Sequence, residues 1–152
     1  MLSVLAASLI VPSAPALTLV GFGYDPRFSE DGKLVIFESS EKVSDSFYRS
    51  GIRVINQEGK GASIDKTKIL AARPKTAGSL LGKPTMSERI GLYDRQSNLI
   101  EGATFVGDSK TVVVAVKVSG KNNDDDRWTL LGSEFYSFEY DAANQRFGVP
   151  KY

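Results

Sequence analysis

Between Lys110 and Ser119 the chain reads KTVVVAVKVS, and few sequences leave a backbone so little choice. Val112, Val114, Val116 and Val118 recur at every second position, with Val113 and Ala115 between them. Alternate residues of an extended chain point to opposite faces, and β-branched side chains suit a pleated surface, so this segment is predicted to be a largely buried strand. Such a strand belongs in the middle of a sheet, with partners on both sides.

The flanking sequence supplies the partners. Arg89 to Tyr93, Leu99 to Val106 and Thr111 to Val118 are separated by Asp94-Arg95-Gln96-Ser97-Asn98 and by Gly107-Asp108-Ser109-Lys110, a spacing that predicts an antiparallel meander. After the hydrophilic loop Gly120 to Arg127, the run SEFYSFEY sets Tyr136, Phe138 and Tyr140 on one face and Phe135 on the other with Ser133, Ser137 and Glu139. That strand is expected to pair with the valine strand. Its aromatic face either fills a core opposite the valines or, with Trp128, stacks a ligand ring.

The first half is less regular. Ser29-Glu30-Asp31-Gly32 is turn chemistry, followed by an alternating strand from Lys33 to Glu38. Ser39 to Ser50 fits a short helix or an anchored loop, and Ile52 to Ile55 a second strand closed by Gln57 to Gly61. Asp65 to Ala72 is compatible with a two-turn helix or a strand, ending before Pro74. Pro74, Gly78, Gly82 and Pro84 mark an exposed loop. The expected fold is mainly β: one antiparallel barrel or sandwich with one or two short helices in its first half. Residues 1–23 form an apolar arm or targeting remnant, 24–140 the β-rich domain and 141–152 an extended tail.

Composition narrows the chemistry. A chain of 152 residues suits a single domain, large enough to hide roughly two thirds of its unfolded surface. With 19 basic and 18 acidic side chains, no overall field draws it to nucleic acid or to an anionic membrane. Neither Cys nor His occurs, which removes disulfides, thiolate nucleophiles, cysteine-based metal sites and the commonest general base. Chemistry is left to carboxylates, Lys, Tyr, Ser and Thr. No cofactor and no metal are expected, and the chain is read as non-enzymatic.

Several motifs fall short on inspection. Gly78-Ser79-Leu80-Leu81-Gly82-Lys83 has three residues between its glycines where a phosphate-binding loop needs four, and Pro84 stands where that loop needs Ser or Thr. Gly21-Phe22-Gly23 lacks the third glycine of a dinucleotide fingerprint. Asp124-Asp125-Asp126 lacks the alternating spacing and closing Glu of a calcium loop, and reads instead as a solvated tip able to dock on a basic surface. Glu134 and Glu139 form a carboxylate pair of the kind any β domain offers.

The N-terminus carries the remaining signal. MLSVLAASLIVPSAPA has no charged side chain, is apolar from Met1 to Val11 and ends in small residues at Ala14 and Ala16. Three readings stand: an export or import signal with its cleavage site, an arm that docks on a partner, or an ordinary first element of the core. The apolar run is too short to span a bilayer as a helix of about 20 residues, and Pro12 and Pro15 interrupt a regular helix. A retained arm presents Leu5, Leu9, Ile10 and Val11 to a neighbouring chain, with Asp124, Asp125 and Asp126 as a second docking element.

This segment, ending in Ala14-Pro15-Ala16, resembles the tail of a two-part plastid import sequence, and a small β domain without Cys or His behind it is similar to the nuclear-encoded extrinsic subunits of algal photosystems. The resemblance implies a peripheral position on the plastid thylakoid, or otherwise export, with other subunits of a membrane complex as partners and no nucleic acid. A non-catalytic accessory subunit is therefore the leading expectation. A small-ligand carrier barrel and a hydrolase working through carboxylates follow it.

Overall fold

The computed structural model describes residues 23–45, 47–74, 85–107 and 110–152. Two four-stranded antiparallel sheets make up the fold, each a simple meander, with orders β1-β2-β3-β4 and β5-β6-β7-β8. The first holds β1 (Gly23–Phe28), β2 (Leu34–Ser44), β3 (Phe47–Asn56) and β4 (Gly61–Asp65). Its first turn forms as the sequence indicates: Ser29 Oγ accepts from the Leu34 amide at 2.9 Å and donates to Asp31 at 2.7 Å, which satisfies a hydroxyl that is almost fully buried. A similar device follows β3, where the Asn56 side chain accepts from the amides of Glu58 and Lys60.

Among the described residues Ser39 to Ser50 holds no helix. Apart from the turn at Asp45 they belong to β2 and β3, which stay paired from Leu34↔Asn56 to Ser44↔Phe47. Local propensity in this polar stretch is indifferent, so the ladder begun by the apolar residues extends outward through backbone hydrogen bonds. Strand β4 is likewise recruited by pairing, since its one large apolar residue, Ile64, is buried opposite Ile52. The ambiguity over Asp65 to Ala72 resolves as helix α1 (Lys66–Leu70), where Asp65 caps the Thr67 amide at 2.8 Å and Ile69 enters the core.

Arg89 to Tyr93 is not the first strand of the second meander. Helix α2 (Met86–Ile90) takes its place because Thr85 and Glu88 form a capping box: the Thr85 hydroxyl accepts from the Glu88 amide, and the Glu88 carboxylate accepts from the Thr85 amide at 2.6 Å. Strand β5 (Arg95–Val106) then begins inside the expected turn. Strand β6 (Thr111–Lys121) lies between β5 and β7 (Thr129–Asp141), as the valine pattern requires. Val112, Val114, Val116 and Val118 are fully buried. The β6–β7 register slips between Val118 and Ser119, and Gly132 there sits at φ 143°, a backbone state that a side chain would strain.

The sheets face each other, with β1 and β2 beside β5, and β4 beside β8 (Arg146–Phe147). Ile36, Ile52, Val54 and Ile64 from one meet Val112, Val114, Val116, Ile100, Tyr136, Phe138 and Tyr140 from the other in a single core. The aromatic face of β7 is therefore core. Residues 141–152, expected as an extended tail, fold back onto β7. Asp141 accepts two hydrogen bonds from Asn144, β8 pairs with Tyr140 and Asp141, and Ser137 and Lys151 exchange backbone hydrogen bonds at 2.9 and 2.8 Å. The outer edge of β7 accounts for this, because its unpaired amides and carbonyls offer the tail a ladder. Leu5, Leu9, Ile10 and Val11, and most of the expected loop through Pro84, lie outside the described residues.

Candidate functional site

Glu134 falls in phase with Tyr136, Phe138 and Tyr140, so the pleat of β7 carries a carboxylate inward. An unpaired carboxylate there would be untenable, and Arg73, just beyond α1, answers it. Its Nε donates to both Glu134 oxygens at 2.8 and 3.0 Å, and Nη2 donates to Glu134 Oε2 and to Asn98 Oδ1. The Tyr136 hydroxyl adds a third donor at 2.7 Å. The side chains are 14% and 1% exposed, and no buried side-chain polar atom among the described residues lacks a partner.

Burial alone lowers the Arg73 guanidinium, but the hydrogen bonds and charge of Glu134 outweigh it and hold it above its ordinary range. Burial, followed by Glu134, pushes the Tyr136 phenol well up, and the same causes raise Tyr152, whose ring stacks edge-on against Tyr136 at 5.5 Å. With its oxygens engaged by guanidinium and phenol, Glu134 clamps Arg73 and Tyr136 together. The pair joins the segment after the first sheet to the second sheet. A charged residue in register with three aromatics was the signal for it, and pairing Glu134 with Glu139 across opposite faces obscured that signal.

The outer face of the second sheet is different. Leu99, Leu130 and Phe135 are 57%, 57% and 62% exposed, and Val113 and Ala115 are half-buried between β5 and β7. Phe135 stands opposite Ala115, Leu99 opposite Lys117 and Leu130 opposite Ser119, so each large apolar side chain faces a small or charged one across the strands. Glu101, the extra residue of a bulge in β5, accepts from Ser133 Oγ at 3.1 Å and pairs with Lys117 at 4.0 Å.

At one end of this face runs the β6–β7 connection. Asp124, Asp125 and Asp126 are exposed there, next to Trp128, which is half exposed. The connection is pinned from below: the Asn123 amide donates to Asp94, and Arg95 Nε donates to the Asn123 side chain at 3.1 Å. Among the described residues no three acidic side chains are grouped to hold a metal ion. The three aspartates thus stand in the exposed connection between β6 and β7, at one end of the second sheet, and the other predicted docking residues lie outside the described residues.

A groove of about 1270 Å³ opens where the β1–β2 turn, β4 and the returning tail meet. Its floor is apolar, from Leu34, Ile64, Tyr140 and Phe147, and its rim mixes Lys68, Lys110 and Arg146 with Asp31, Glu139 and Asp141. Two of the acids are already engaged, Asp31 by Ser29 and Lys33, Asp141 by Asn144 and Arg146. Compared with known proteins, the chain matches no family model, no curated protein and no solved structure.

Proposed function

We propose that this protein is a non-catalytic accessory subunit that docks on a larger protein assembly through the outer face of its second sheet. The observation that carries the reading is the exposure of Phe135, Leu99 and Leu130 on a rigid sheet with the acidic loop 124–126 at its margin. An apolar centre with a charged rim is the usual anatomy of a protein interface. The partner is accordingly a protein surface with an apolar centre and basic residues facing Asp124, Asp125 and Asp126. On the resemblance of the N-terminal segment, we propose a photosynthetic membrane complex as that assembly, with this chain peripheral to the membrane. Among the described residues no helix is long and apolar enough to cross one.

The test is retention on native membranes. Phe135→Glu points into solvent and leaves the melting temperature unchanged, while retention falls at least tenfold; changing the three aspartates to Asn halves retention or more and weakens its salt dependence. Retention of Phe135→Glu at the level of the parent would remove this face from consideration. The groove supports a second reading, a small-ligand carrier, since its floor is apolar and small-molecule sites are concave and mostly apolar with a few polar groups at the edge. Native mass spectrometry of protein purified from its source distinguishes the two: a stoichiometric small molecule favours the carrier, and co-purifying chains favour the subunit.

A further inference from the structure

The groove where the β1–β2 turn, β4 and the tail meet holds a side chain whose hydrogen bonding is incomplete. Tyr140 lines it, is only 3% exposed, and packs its ring on Phe147 with centroids 5.2 Å apart. Its hydroxyl has no hydrogen-bond partner among the described residues. Tyr136, equally buried two residues earlier, donates to Glu134 at 2.7 Å, as a buried phenol ordinarily does. Every fully enclosed side-chain polar atom among the described residues has a partner, so the Tyr140 hydroxyl is not fully enclosed: it opens into the groove that its ring lines. A polar group drawn this far from water without a partner carries a free-energy cost that an incoming acceptor would relieve.

The surroundings define what would bring that acceptor. Leu34, Ile64 and Phe147 make the floor beside Tyr140, and Ala142, Val149 and Pro150 carry apolar surface up one wall. At about 1270 Å³ the groove exceeds the roughly 300 to 1,000 Å³ of ordinary small-molecule sites, so an elongated apolar body is needed to fill it. By count the rim balances three cations against three acids, but the acids are not equally available. Asp31 accepts from Ser29 Oγ and the Lys33 amide, and Asp141 from Asn144, with Arg146 Nε at 3.4 Å. Glu139 alternates with Tyr140 along β7 and so leaves the strand on its opposite face. On the cationic side Lys68 stands exposed in the last turn of α1 with no ion-pair partner among the described residues, and Lys110 and Arg146 share its rim.

We propose that this groove binds an amphipathic carboxylate, its chain lying on Leu34, Ile64 and Phe147 and its head accepting from the Tyr140 hydroxyl in the field of Lys68. A carboxylate is an acceptor only, which suits a phenol with a proton to donate, and a hydrogen bond to a charged oxygen is about twice as strong as one to a neutral oxygen. An amine head would meet Lys68 and Lys110 as like charges, and a plain hydrocarbon would leave the hydroxyl unpaired. The proposal rests on the carrier reading of the groove, to which it adds the class of ligand, and it uses none of the exposed residues Leu99, Leu130 and Phe135.

Calorimetric titration of the full chain with dodecanoate, below its micellar concentration, and with dodecanol tests the head and the chain separately. Dodecanoate is expected to bind stoichiometrically and about tenfold more tightly than dodecanol. Tyr140→Phe keeps the ring and removes only the hydroxyl. It should weaken dodecanoate about tenfold, the scale of a lost charge-assisted hydrogen bond, and should melt no lower than the parent because the hydroxyl has no partner within the chain. Lys68→Met, at an exposed position, should weaken dodecanoate about threefold and leave dodecanol unchanged. Dodecanoate affinity unchanged by Tyr140→Phe, or a lowered melting temperature of that variant, overturns the proposal. Equal affinity for dodecanol and dodecanoate overturns the carboxylate head and leaves the carrier reading standing. Binding of neither overturns the proposal as well, and native mass spectrometry of protein purified from its source then shows whether the carrier reading falls with it.

Discussion

A single side chain, Arg73, decides whether Glu134 is tolerable. Removing one partner of a buried ion pair leaves an uncompensated charge, so Arg73→Ala is expected to lower stability by about 3 to 5 kcal/mol, a large part of a total of about 5 to 15. Replacing both residues, Arg73→Met with Glu134→Leu, should recover most of that loss, and denaturant titration of the single and double variants separates the two outcomes. The tyrosines give the pH counterpart. Tyr136, Tyr140 and Tyr152 all have phenols raised above the ordinary value of 10.0, each first by burial. A raised folded-state value means that the unfolded chain releases its protons first, so the stability held by these phenols is intact below about pH 10 and declines as pH climbs through their folded values. Thermal melts between pH 8 and 12 should show a steepening loss that Tyr136→Phe reduces. At this scale the valines were legible because their alternation has one structural meaning. Glu134 was harder to read, since its partner lies 61 positions away.

At the scale of elements, the second sheet was readable from Leu99 onward and the first only in part. Strong β-branched alternation sets β6 without help from its neighbours, whereas β4 and the outer halves of β2 and β3 exist because an adjacent strand offers hydrogen bonds. Helix α2 shows the opposite failure. The sequence Thr85-Met86-Ser87-Glu88 holds its capping box in plain view, but the apolar residues that follow suggested a strand. The returning tail was unreadable locally, because two paired residues and a bridge carry no periodicity. Its contribution is nonetheless measurable: Phe147 packs on both Phe138 and Tyr140, with centroids 5.2 Å apart in each case. Truncation after Asp141 should lower the melting temperature by several degrees and, by baring the edge of β7, promote self-association visible in sedimentation. A truncated chain that stays monomeric and melts like the parent would mean that the tail merely decorates the sheet.

For the molecule as a whole, the mainly β class followed from composition and pattern, while the exposed apolar face of the second sheet did not. Exposure of Phe135 was implied by its phase opposite Tyr136, but its company with Leu99 and Leu130 depends on register across three strands and on the bulge at Glu101. The acidic tip was visible as charge, and its place at the end of the second sheet comes only with the fold. Among the described residues each sheet is formed by consecutive segments, β1 to β4 and β5 to β8, and no strand of one is inserted into the other. The molecule is thus two self-contained meanders whose pairing is local within each, a wiring that favours quick folding of the parts and leaves their union to side chains. Such a chain is a natural candidate for being cut in two. Fragments 1–79 and 80–152, expressed separately, should find each other and regain the near-ultraviolet signature of buried Tyr136, and Arg73→Ala in the first fragment should weaken their reassociation at least tenfold. Fragments that stay apart at micromolar concentration would show that the covalent link between the halves carries more of the stability than their shared core does.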